Sequence, residues 1–131
     1  MLPRLKRRAE FVRAAKSGLH ASRPGMALQA YRRRDGEQSA DGVRVGFTTS
    51  KKVGNAVIRN RVRRRLREVA EQVLPSQGRP DHDYVLVGRS GAEDRDFQDL
   101  LEDLRTALSA VERKAAERQE RRSRRRKENT G

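Results

Sequence analysis

Apolar residues recur at steps of four, four, three and four from Ile58 through Val62, Leu66 and Val69 to Val73. At about 100° per residue they make one stripe roughly 80° wide, the signature of a helix with one buried face. Asn60, Arg63, Arg64 and Arg67 fall opposite the stripe, and Arg59, Arg61 and Arg65 flank it. Pro75 to Pro80, "PSQGRP", is expected to break this helix. A second stripe joins Phe97, Leu100, Leu101, Leu104, Leu108 and Val111, predicting a helix over 95–111 with Asp94 or Asp96 as its cap. Leu5, Ala9, Val12 and Ala15 lie near helical spacing, which predicts a helix over 3–17 with Pro3 in its first turn and Ser17-Gly18 at its end.

Elsewhere the period is two. Met26, Leu28 and Ala30 share one face of a predicted strand and Tyr31 takes the other. Val43, Val45 and Phe47 alternate in a second strand, expected to pair with the first across the polar turn 34–42 and its two Asp-Gly steps. Residues 20–24 read as a short extended piece. "DYVLVGR", 83–89, is a brief apolar run between Pro80 and Ser90-Gly91, hence a buried strand. The order is helix, three strands, helix, strand, helix: an α+β fold in which a small mixed sheet of about four strands packs with three helices.

Charge sharpens this picture. The 131 residues carry a net charge of +14, with 38% charged and 34% hydrophobic residues. That suffices for one domain with a lean core. Residues 51–67 hold eight Lys/Arg and no acid, whereas 82–111 hold seven acids and three Arg. Such segregation belongs to a folded body with distinct faces, not to a uniformly disordered polycation. Residues 1–112 form the expected domain. Residues 113–131, with nine Lys/Arg and no apolar face, are expected to fray into an unstructured basic tail.

A field of this sign selects a polyanion. Six arginines stand in the nine residues Arg59 to Arg67 with no acid among them, whereas a merely solvated helix face mixes signs. Guanidinium groups fork onto phosphates, and an ordered row of them can track a nucleic-acid backbone. The preceding element is a strand, which disfavours a DNA-reading helix-turn-helix. Phe11 could stack on an unpaired base or pack in the core, and the sequence leaves both open. No cysteine, secretory h-region or apolar run of spanning length is present, so the reducing cytoplasm is the expected compartment and no membrane is implied. His20 and His82 stand alone, and the acids of 93–103 read as a capped, solvated helix face. No Walker loop, dinucleotide fingerprint or nucleophile elbow occurs, so a self-sufficient active site is not expected.

The run "RVGFTTSKKVGNAVIRNRVRRRLRE", Arg44 to Glu68, resembles the signature of the bacterial ribonuclease P protein subunit family. Its R-x-G strand, S-K-K, Gly, A-V and R-N-R elements fall on Arg44, Gly46, Ser50, Lys51, Lys52, Gly54, Ala56, Val57, Arg59, Asn60 and Arg61. Arg63, Arg64 and Arg67 follow, with Arg63 where Lys is common. "LPRLKRRAEFVRAAKSG" and "DYVLVGRSGA" extend the likeness over roughly residues 2–111. The resemblance implies a left-handed β-α-β crossover and a partnership with a large catalytic RNA. That RNA, using Mg²⁺, would free the 5′ leader of precursor tRNA, while the protein itself holds no metal and cuts nothing. It further implies an RNA-binding set of Lys51, Lys52, Asn55, Arg59, Asn60, Arg61, Arg63, Arg64 and Arg67. Phe11, Ala15 and Tyr31 would line a cleft for the single-stranded leader. Ala15 stands where many members carry a second aromatic, and Gln29 competes with Tyr31 for the usual strand aromatic. A ribosomal or RNA-chaperone protein is the alternative that composition alone allows; it needs neither the ordered motif nor the cleft.

Overall fold

The computed structural model describes residues 2–34 and 42–130. The elements follow as α1 (Arg8–Lys16), β1 (His20–Ser22), β2 (Met26–Arg32), β3 (Arg44–Thr49), α2 (Ala56–Gln77), β4 (His82–Gly88) and α3 (Phe97–Thr130), with a 3₁₀ turn at Lys51–Val53. This is the α+β order the sequence predicts. Apart from its ends, Arg34 and Gly42, the polar turn of 34–42 lies outside the described residues.

The strands form one sheet in the order β1-β2-β4-β3. The expected pairing of β2 with β3 does not occur. β4 lies between them, antiparallel to β2 and parallel to β3. The physical reason lies in composition: β4 is apolar on both faces and takes the central place, where it is covered from both sides. Its parallel partnership needs a long crossover, which α2 supplies.

α2 and α3 cover one sheet face. Val62, Leu66, Val69, Val73, Leu100 and Leu104 meet Met26, Leu28, Ala30, Val45, Tyr84 and Leu86 in the main core, all nearly inaccessible to water. Each buried Val, Leu or Met side chain there contributes about 1.5–3 kcal/mol through burial. α1 covers part of the other face over a smaller cluster of Leu5, Ala14 and Val85, fringed by Phe11, Tyr31 and Val87.

Three helix boundaries differ from expectation. α1 starts at Arg8, because residues 3–5 run extended beside β3: the Leu5 N–H donates to Val45 O and the Val45 N–H to Pro3 O, both at 2.9 Å. Its buried face carries Glu10, Phe11 and Ala14, while Ala9, Val12 and Ala15 are exposed. α2 continues through Pro75 to Gln77. The missing Pro75 N–H costs one bond near the helix end, buried Val73 and Leu74 hold that turn, and the Gly78 N–H closes on Leu74 O at 2.8 Å. α3 runs to Thr130 instead of fraying after residue 112. Residues 113–129 are rich in Arg, Ala, Glu, Gln and Lys, all strong helix formers, with neither Gly nor Pro.

Candidate nucleic-acid interface

Lys51 and Lys52 sit exposed on the 3₁₀ turn where β3 ends. Gly54 then turns the chain at φ 152°, a conformation that favours glycine, and an added Cβ there would press within 3.0 Å of the Ile58 side chain. Asn55 caps α2: its side-chain oxygen accepts the Ile58 N–H at 3.0 Å. The first turn of α2 carries no acid, so the positive end of the helix dipole adds to the lysines.

Beyond the cap the arginines divide by task. Asn60, Arg61, Arg64 and Arg67 are exposed; Arg59, Arg63 and Arg65 are half-buried. Arg63, expected opposite the stripe, instead leans back to donate to Thr49 Oγ1 at 3.3 Å and to the Asn60 side-chain oxygen. Arg65 donates to Ala92 O at 2.6 Å and Arg95 O at 2.5 Å, and Arg61 to Glu93 O at 3.0 Å. These two tie the loop before α3 to the helix. Among the described residues, none of the six arginines from Arg59 to Arg67 forms an ion pair. A row of uncompensated cations is thus fixed on a helix whose opposite stripe is buried.

The second predicted group lies under α1. The Phe11 ring packs against β3 at Gly46, where an added Cβ would fall 2.5 Å from Cε1. Glycine is required there for the close approach, which gives the R-x-G element its steric reason. A hollow of about 280 Å³ is lined by Arg4, Leu5, Phe11, Gly46, Phe47, Arg63 and Arg67. Phe11 and the arginine helix therefore meet at one place. Tyr31 lies farther along the same sheet face, its ring 4.3 Å below the Arg13 guanidinium, and borders a different cavity. Ala15 is exposed one helical turn beyond Phe11.

Sequence reasoning missed what holds this cleft together. Asp83 is fully buried at the start of β4. It accepts from Arg44 Nε and Nη2 at 2.8 Å each, from Arg33 at 2.6 Å and from Arg13 at 3.1 Å. Arg44 also pairs with Glu10 at 2.7 Å, and Glu10 accepts the Lys6 and Arg7 N–H groups at the start of α1. Burial pushes the Asp83 carboxyl up, but Arg44 and Arg33 outweigh it and hold it below the usual range. Glu10 is likewise held low: burial raises it, and the Arg7 and Lys6 amides with Arg44 prevail. The available signal was a carboxylate heading an otherwise apolar strand, in register with Arg44.

The remaining polar groups have structural work. Asp96 caps α3 through the Gln98 N–H at 2.9 Å, and buried Asp103 holds Arg95 at 2.7 Å and the Gly25 N–H at 3.0 Å. His82 is buried, bonded to Asp81 at 2.6 Å and stacked on Tyr84. Burial drives its pKa down against the pull of Asp81. His20 is exposed. Among the described residues no three His, Asp or Glu side chains converge as metal ligands, and no helix is long and apolar enough to cross a membrane.

Comparison with known proteins gives a consistent result. The sequence model of the Ribonuclease P family matches residues 2–112. The ribonuclease P protein component of Ruegeria pomeroyi is 56% identical over 105 residues, covering 79% of this chain and 82% of the relative. That of Paramagnetospirillum magneticum is 48% identical over 110 residues, covering 84% and 83%. The Staphylococcus aureus RNase P protein superposes with a TM-score of 0.66 at 27% identity, covering 83% of this chain and 94% of its own. The Thermotoga maritima protein shares the fold with a TM-score of 0.64 at 22% identity, covering 79% and 92%.

Proposed function

The chain belongs to the ribonuclease P protein family, and on that premise we propose how its surfaces divide the work of the holoenzyme. It is a protein subunit of the endoribonuclease that matures the 5′ end of tRNA, and its partners are the catalytic RNA and precursor tRNA. Lys51, Lys52 and the α2 face bearing Arg59, Asn60, Arg61, Arg64 and Arg67 dock on the catalytic RNA, with Asn55 and Arg63 fixing that face. The cleft between α1 and the sheet, with Phe11 at one end and Tyr31 toward the other, receives the single-stranded leader. Phosphodiester hydrolysis and the Mg²⁺ it uses belong to the RNA, and the protein works with both RNAs in the cytoplasm.

The observation that carries this reading is the row of six arginines, with no ion pair among the described residues, anchored beside an aromatic-lined hollow. Guanidinium groups on an ordered helix with no carboxylate paired to them are poised for phosphate, since no ion pair must be broken first.

The test is precursor cleavage by the cognate catalytic RNA at low Mg²⁺, with and without the protein. Acceleration is expected, and it should be lost on changing Arg59, Asn60 and Arg61 to Ala. RNA-free protein should cut nothing. A folded protein that binds RNA yet leaves cleavage unchanged would favour a ribosomal or chaperone role.

A further inference from the structure

The matched family region ends at residue 112, inside α3. The helix beyond it is docked on the body. The Lys114 ammonium donates to His20 O at 2.5 Å, and Ala115 packs on the core edge. The Arg118 guanidinium lies over Gly18, where a Cβ would come within 2.6 Å of it. This segment therefore roofs the turn from α1 into β1. Between it and the end of β2 lies a cavity of about 580 Å³.

Among the described residues, five arginines line that cavity, Arg32, Arg33, Arg34, Arg118 and Arg122, and no acid does. Arg32 is held by Asp81 at 3.1 Å and Arg33 by Asp83 at 2.6 Å, which fixes the floor. Arg118 and Arg122 reach in from the helix, and neither has a side-chain partner among the described residues. A walled hollow of one sign concentrates anions more strongly than a flat patch.

Its position matters as much as its charge. β4 runs from His82, which borders this cavity, to Gly88, which abuts Val62 of the arginine helix. At about 3.3 Å per residue the two ends are roughly 20 Å apart. Phe11 on Gly46 and Tyr31 under Arg13 lie between them on the sheet face that α1 partly covers, and Tyr31 itself borders the cavity. The basic hollow is therefore the far end of the cleft.

We propose that this hollow binds backbone phosphates of the precursor's leader, upstream of the nucleotides held at Phe11, and that the α3 extension is a leader-binding element. The inference rests on the cleft reading given above. Arg118 and Arg122 supply the phosphate contacts, and Tyr31 with Arg13 forms the passage from the cleft.

The experiment uses reconstituted holoenzyme and two precursors. One leader ends within the cleft; the other is long enough to pass beyond it. Changing Arg118 and Arg122 to Ala should weaken the long-leader precursor about tenfold, ~1.4 kcal/mol. The slope of log affinity against log salt should fall by about 1.4, from roughly 0.7 per single-strand phosphate. Short-leader affinity and assembly with the catalytic RNA should not change. Both arginines sit on the helix surface, so a thermal melt confirms that the variant folds, and R118K/R122K should retain most of the affinity. Equal loss for both leaders would place the contact on the catalytic RNA or tRNA body and overturn the proposal, as would no loss at all. F11A separates this from the cleft reading. Leader-dependent loss in F11A without loss in R118A/R122A removes only the role of the extension. No leader dependence in the wild type or in F11A removes the cleft as well.

Discussion

Asp83→Asn isolates the network beneath α1, because the substitution keeps shape and removes charge. The wild-type carboxylate receives two guanidinium donors on each oxygen: Arg33 and Arg44 Nε on one, Arg13 and Arg44 Nη2 on the other. An amide has one accepting oxygen. In either orientation its NH₂ faces two donors at a fully buried site, and Arg44 keeps Glu10 as a counter-charge while the charge shared by all three arginines is gone. Removing one partner of a buried ion pair costs about 3–5 kcal/mol. For a domain whose total stability is about 5–15 kcal/mol this is a large share. With a urea m-value of about 1–3 kcal/mol/M, the midpoint should fall by roughly 2 M. Equilibrium urea unfolding at neutral pH, followed by circular dichroism, reads the shift directly. D83N combined with R44M should cost less than the sum of the two single changes, because the second removes a charge the first has stranded. Loss of Arg13 from its carboxylate also frees the guanidinium over Tyr31, so leader affinity should drop more than affinity for the catalytic RNA. A loss below about 1 kcal/mol, or full additivity, would refute the reasoning.

Three further outcomes are expected. Gly46→Ala places a methyl 2.5 Å from Phe11 Cε1 and 2.7 Å from Cζ, and should cost about 1–3 kcal/mol in urea unfolding, with partial recovery when Phe11 is shortened to Leu. Asn55→Ala removes the α2 cap, costs about 1 kcal/mol, and should weaken RNA binding by fraying the turn that carries Arg59. Stability should fall in two stages on acidification, checked by urea midpoints across the acid range. The unfolded chain protonates His82 below about pH 6.5 while the buried native ring resists. Asp83 and Glu10, held low in the native state, stabilise it fully above about pH 4, and that contribution is lost as pH falls through their native values.

The parts of the fold that repeat locally were legible in the sequence. The stripe from Ile58 to Val73 and the alternation of Met26, Leu28 and Ala30 face the core as the periodicities imply. What failed was non-local or relied on polar burial. β2 and β3 are neighbours along the chain, and nothing in their own residues announces that β4 will separate them. The buried face of α1 includes Glu10, which an apolar count places outside, because its partner Arg44 is distant in sequence. At the site, charge density identified the arginine helix. Which arginines brace loops, as Arg61 and Arg65 do, depends on where the carbonyls of residues 92–95 come to rest. The tail was misread because lack of an apolar face was taken as lack of a helix, although its residues favour one.

The central place of β4 also bears on when the RNA-binding surface comes into being. Until His82–Gly88 has left the ribosome, β2 and β3 have no common neighbour, and the stripe on α2 has only an incomplete sheet to cover. The arginines are thus synthesised well before the scaffold that orders them. A chain of net charge +14 repels itself in that interval. A polyanion that binds the native form more tightly than the unfolded one stabilises it by mass action. Assembly with RNA and completion of the sheet are then coupled equilibria, and ionic strength acts on folding through the same charges that it acts on in binding.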